Sequence, residues 1–224
     1  MSKYTAAFLV ENRFCFAHGG KIIVANLATL EVLETIDCLA TDEIAASPDG
    51  TKLAFFSRAA SNANDVVMLD MRTGKEFWRQ AAHGYVFGKP IVWSANGKNI
   101  ATSHGSISET KIWNADNGTL RRVLALDKPS FSPTSRYVSG EVAPTSTTFY
   151  QFLGAGHGEV YEIVTGRLFM RLPHAGAFSP VSDSLLTYRG IWEPRGTMEE
   201  VAAAKTRLAG RTLTSEERAQ FYLD

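Results

Sequence analysis

Short apolar runs, each interrupted by a tight polar turn, recur along most of the chain. The tetrads Ser47-Pro48-Asp49-Gly50, Ser94-Ala95-Asn96-Gly97, Ser132-Pro133-Thr134-Ser135 and Ser179-Pro180-Val181-Ser182 stand at steps of 47, 38 and 47 residues. Each follows one apolar run (44–46, 91–93, 130–131, 177–178) and precedes another (52–56, 99–102, 136–138, 184–188). Run, turn and run predict a β-hairpin, with Asp-Gly and Asn-Gly supplying the positive φ of the turn. A second turn closes each unit further on, at 71–74, 115–118 and 163–166, between strands predicted at 66–70 and 76–79, 111–114 and 120–124, and 159–162 and 167–172.

Each unit is therefore four antiparallel strands in roughly 40 to 47 residues. The opening segment fits the same template more loosely, with strands at 5–10, 13–17, 21–26 and 32–37 and a turn at Glu11-Asn12. The units fall at about 4–37, 42–80, 89–125, 129–172 and 176–193. This period predicts an all-β fold across residues 1–194: a β-propeller of about four complete four-stranded blades plus a partial fifth. Residues 195–224 change pattern. Thr197-Met198-Glu199-Glu200 is a capping box, and Met198, Val201, Ala202, Lys205 and Leu208 follow helical spacing up to Gly210. A second box, Thr214-Ser215-Glu216-Glu217, opens a last short helix, so a two-helix tail is expected.

The stretch Lys111-Ile112-Trp113-Asn114-Ala115-Asp116-Asn117-Gly118 resembles the end of a WD40 repeat, and Ser47-Pro48-Asp49-Gly50 resembles its first turn. His83, ten residues before Trp93, stands near the histidine of the family's Gly-His pair. The resemblance covers about residues 4 to 193, through degenerate repeats. It implies a His–Ser/Thr–Trp–Asp hydrogen-bond tetrad, which the sequence reproduces in full in no unit. The ending around 209–223 is similar to tails that follow WD40 arrays in large bacterial proteins, where a protease, nucleotide-hydrolysing, kinase or TIR module lies upstream. That likeness implies a C-terminal part of such an array or a stand-alone relative.

Charge changes the picture by exclusion. With 23 basic and 23 acidic residues the formal net charge is zero, which argues against a nucleic-acid coat or an anionic-membrane binder. No apolar run approaches the roughly 20 residues of a membrane helix, and 6–10 is too short for a secretory core, so a cytoplasmic chain is expected. Cys15 and Cys38 are then expected as reduced thiols.

Candidate chemistry is sparse. The five histidines (18, 83, 104, 157, 174) have no partner at metal-ligand spacing, so neither a metal nor a cofactor is expected. Gly154-Ala155-Gly156-His157-Gly158 resembles a phosphate loop only in composition, because a strand rather than a helix follows it. The acidic pair Asp42-Glu43 reads as part of a connecting loop, and Glu199-Glu200 as a first helical turn. Asn117-Gly118-Thr119 reads as a turn rather than a glycosylated site. Phe55, Phe56, Trp93, Trp113, Tyr137, Phe178 and Tyr188 fall in strands and read as core.

Tyr85, Phe87 and Lys89 fall in a connection between blades. With Asp42, Glu43, Asn62 and Asn64 they form the candidate protein-interaction rim. The residue count leaves two outcomes, a small irregular ring or an open arc whose edges need cover. The leading expectation is a non-enzymatic scaffold or sensor module, an open half-ring completed by a partner. That partner would be another propeller-bearing chain, an effector protein or a second copy of this one. The alternatives are a small-molecule-binding or enzymatic propeller, lactonase-like or quinoprotein-like, and a split C-terminal piece stable only with its other half.

Overall fold

The computed structural model describes residues 6–9, 11–58, 64–83, 90–104, 108–142, 157–172, 176–187 and 190–192. Among them every regular element is a β-strand, and no helix is long and apolar enough to cross a membrane. The expected helical tail lies outside the described residues, as do Asn62, Tyr85, Phe87 and Lys89 of the candidate rim.

The strands form antiparallel meanders in chain order. The first comprises β1 (Ala6–Phe8), β2 (Arg13–His18), β3 (Gly20–Asn26) and the start of β4 (Val32–Ala46). The end of β4 opens the second, followed by β5 (Lys52–Arg58), β6 (Asn64–Asp70) and β7 (Glu76–His83). The third is β8 (Ile91–Trp93), β9 (Asn99–Ser103), β10 (Thr110–Asn114) and β11 (Leu120–Leu124). The fourth is β12 (Asp127–Phe131), β13 (Tyr137–Val142), β14 (His157–Glu162) and β15 (Leu168–Leu172). A fifth shows β16 (Ala177–Phe178), β17 (Leu185–Thr187) and β18 (Gly190–Trp192).

Strand β4 corrects one expectation. Asp42 and Glu43 are not in a connecting loop but inside this strand, which runs through from the first meander to the second. Its early residues pair with β3 and its late residues with β5, and Ala40 pairs with both Gly20 and Ser57. Leu39, at φ 53°, takes up the slip in register on the β3 side, and a second irregularity between Ala40 and Ile44 precedes regular pairing with β5.

The repeated turns hold themselves by the same bonds. In the first turn of the second, third and fourth meanders, a serine hydroxyl (Ser47, Ser94, Ser132) accepts the backbone N–H five residues on. The same hydroxyl bonds the side chain two residues on, at Asp49, Asn96 or Thr134. These small polar residues thus satisfy backbone groups that a tight turn would otherwise leave open. The first meander turns more sharply, on Glu11 and Asn12 with both φ near 60° (61° and 58°).

The meanders stack face to face, and a cross-strand row marks each seat. The rows are Ala7–Cys15–Val24, Ala45–Ala54–Met68, Val92–Ala101–Ile112 and Ser130–Ser139–Val160, each directly paired across its strands. Large side chains of the next meander cover each row: Phe55 and Leu69, then Ile100 and Trp113, then Phe131 and Val138, then Phe178 and Leu185. Small residues in the rows let the sheets approach, and the aromatic and branched residues opposite fill the gap. Both cysteines are free, and burial pushes the Cys15 thiol up to about 12.

Candidate functional site

The described members of the candidate rim are Asp42, Glu43 and Asn64. Asp42 and Glu43 lie in β4, and the Glu43 side chain is half-buried. Asn64 opens β6, paired in the ladder with Arg58 and His83, and only 7% of it is exposed.

The polar chemistry sits instead between sheets. His83, the last residue of β7, reaches Thr102 of β9, with Nε2 at 2.9 Å from Oγ1. Trp113 of β10 donates its indole N–H to the same Oγ1 at 2.9 Å. Glu109, just before β10, stands 3.3 Å from His83 Nδ1 through Oε1. One assignment uses every donor once: Nδ1–H donates to Glu109, Thr102 donates to Nε2, and Thr102 accepts from the indole. Burial holds His83 down at about 4, so the ring is neutral at physiological pH, as this assignment requires. The Lys111 ammonium caps the cluster, donating to the Ala82 carbonyl and lying 3.8 Å from Glu109. His104 meets the His83 ring edge-on at 5.8 Å between centroids.

This arrangement is a variant of the tetrad that the resemblance implies. Three members stand where the resemblance implies, and Glu109 supplies the carboxylate in place of Asp. The longer side chain hid it in the sequence, although Glu109 lies only four residues before Trp113.

A second network holds the fourth meander. Glu159, only 5% exposed, takes Arg171 Nε at 2.9 Å and His157 Nε2 at 3.2 Å on Oε1, and the Tyr161 hydroxyl at 2.6 Å on Oε2. Burial pushes the Glu159 carboxyl up, but the bonds from Tyr161, Arg171 and His157 outweigh it and hold the group below its ordinary range. Burial and the bond to Glu159 raise Tyr161 to about 12. His157, read as part of a glycine-rich loop, is the first residue of β14. Among the described residues no group of three or more His, Cys, Asp or Glu is placed to hold a metal ion.

No protein-family model matches the chain, and no characterised protein matches it by sequence. Solved structures do match in shape. A chain of hydrazine synthase from Kuenenia stuttgartiensis aligns over 80% of this chain and 53% of its own, at TM-score 0.60 and 12% identity. A chain of a mitotic checkpoint complex aligns over 84% and 60%, at TM-score 0.61 and 15% identity. The tricorn protease aligns over 80% and 18%, at TM-score 0.59 and 17% identity. The chain thus spans between half and three-fifths of the first two. These neighbours are propeller-type folds, and at such identities the likeness shows the fold alone: a repeat-like, all-β propeller architecture.

Proposed function

We propose that this chain is a non-enzymatic, WD40-like propeller module that scaffolds protein association, with about four complete blades and a partial fifth. The observation that carries the reading is where its polar side chains are spent. His83 and Glu159 are buried and engaged, His83 by Thr102 and Glu109 of the next sheet and Glu159 by Tyr161 and Arg171 of its own, so their hydrogen-bonding capacity is taken up in holding strands and sheets together. The His83–Thr102–Trp113–Glu109 cluster supports the WD40-like assignment. The shape likeness to a chain of a mitotic checkpoint complex supports a role in assembly.

Partner docking on this reading uses the connection that carries Tyr85, Phe87 and Lys89, with Tyr85 and Phe87 as anchors, together with Asn62 and with Asp42 and Glu43 of β4, while Asn64 is too buried to take part. The test is affinity purification of the tagged full chain from its native cells after mild crosslinking. A protein partner in fixed stoichiometry is expected, and Tyr85→Ala with Phe87→Ala should weaken its capture at least about tenfold. Recovery of the chain with no other protein and no second copy of itself would overturn the reading.

A further inference from the structure

The fifth meander carries the same cross-strand row as the four before it, and among the described residues nothing covers it. Ala177 pairs with Leu186 and Leu186 with Ile191, in the register of the four buried rows. Here all three are exposed, Leu186 at 47% and Ile191 at 69%. Phe178 and Leu185, one step along the strands, point the other way into the fourth meander. The exposed row is therefore a seat of the interior kind, apolar and in register, on the last described sheet.

The opposite end of the stack offers the matching surface. On the first meander Cys15 and Val24 face the second, which turns Phe14, Phe16 and Ile23 the other way. These three are half-buried and belong to none of the four core clusters. The Phe14 and Phe16 rings stack at 6.1 Å. At every interior junction the covering sheet brings large side chains of this sort, Phe55, Trp113, Phe131 and Phe178 in turn.

We propose that the row Ala177–Leu186–Ile191 seats the first meander of a second copy of this chain, a head-to-tail contact that continues the interior stacking. The proposal rests on the scaffold reading above and names the partner for one surface of it. Both halves of the contact are on the one chain, and the exposure of Leu186 and Ile191 shows that they do not meet within it. Because the two faces differ, the contact is heterologous, and it propagates unless its rotation closes a ring.

The test is sedimentation of the purified full chain across a wide range of concentrations. The mass should rise with concentration. Leu186→Lys with Ile191→Lys, both at exposed positions, should weaken association at least about tenfold, and so should Phe16→Lys or, if that variant does not fold, Ile23→Lys. An equimolar mixture of the two variant types should recover a dimer, since one intact seat then meets one intact covering face. A wild-type chain that stays monomeric overturns the proposal. Association that survives both variants, or a mixture that does not recover, overturns it equally. A monomer that still brings down a different protein in fixed stoichiometry overturns self-docking and leaves the scaffold reading standing.

Discussion

The junction between the second and third meanders and the one between the third and fourth use one backbone register for two chemistries. Trp113 and Tyr161 hold the same place, each paired with the branched residue of the neighbouring strand, Ile100 or Val138. Beside Trp113, Thr102 supplies the hydroxyl that joins indole to imidazole. The matching position beside Tyr161 is Gly140, where a Cβ would stand 2.7 Å from the Asp127 carbonyl, so no threonine fits. Tyr161 turns its hydroxyl to Glu159 on its own strand instead. On the outer strands, Trp78 donates to the Ala115 carbonyl at 3.0 Å and Arg122 to the Val164 carbonyl at 2.6 Å, each over a turn glycine of the next meander. The Arg122 Nε is nonetheless buried without a partner. Stacking is thus set by register and turns, while the side chains that lock it are exchangeable.

The largest expected effect breaks the first junction alone. Trp113→Ala removes a buried aromatic and leaves the Thr102–His83 pair facing a cavity, which should cost about 3–5 kcal/mol in urea unfolding. Tyr161→Phe, which deletes one of three donors to Glu159 and keeps the ring, should cost only about 1 kcal/mol. Equal losses would show that the indole adds nothing to the locking beyond its hydroxyl-sized bond.

The glycines under the outer strands sharpen the same contrast. Gly118 and Gly166 both sit at positive φ, 71° and 69°. A Cβ on Gly118 would meet the Trp78 ring at 2.8 Å, and one on Gly166 would meet Arg122 Nε at 2.6 Å. Both alanines incur left-handed strain of about 1–2 kcal/mol. The indole is rigid and bonded from behind, whereas the guanidinium can swing outward. Gly118→Ala should therefore lose about 3 kcal/mol and Gly166→Ala about 1–2 kcal/mol, read as thermal unfolding midpoints. A larger loss at Gly166 would mean that Arg122 is the stiffer of the two.

The same exchangeability decides what could be read from the residues. The turns at Ser47, Ser94 and Ser132 were legible because small polar side chains make their bonds locally, within five residues. The first meander was harder to read, since Glu11-Asn12 replaces the serine turn and Leu30, not glycine, takes the left-handed position at φ 59°. Continuity of β4 through Asp42-Glu43 was hidden because polar residues there resemble a loop, and only pairing to two neighbours at once reveals a strand. Glu109 was missed for its residue type, although its spacing from Trp113 could have flagged it. The exposed row on the fifth meander is invisible in one dimension, because Leu186 and Ile191 look like core until the stack is seen to stop covering them.

Acid separates the two junctions by smaller steps, no more than about 1.4 kcal/mol per pH unit for each group. His83 is held down at about 4 in the fold against 6.5 when free. Between those values the unfolded chain binds the extra proton, so this stabilisation is complete above 6.5 and is lost as pH falls toward 4. Glu159 is also lowered, from an ordinary 4.5, so its contribution persists to 4.5 and is lost only as pH falls through its own lower value. Stability measured by urea unfolding across this range should therefore begin to fall in the histidine window and continue in the carboxylate window. His83→Gln should flatten the first segment and leave the second, and Glu159→Gln should do the reverse. If His83→Gln leaves the fall between 6.5 and 4 unchanged, burial at the second–third junction does not hold the ring neutral.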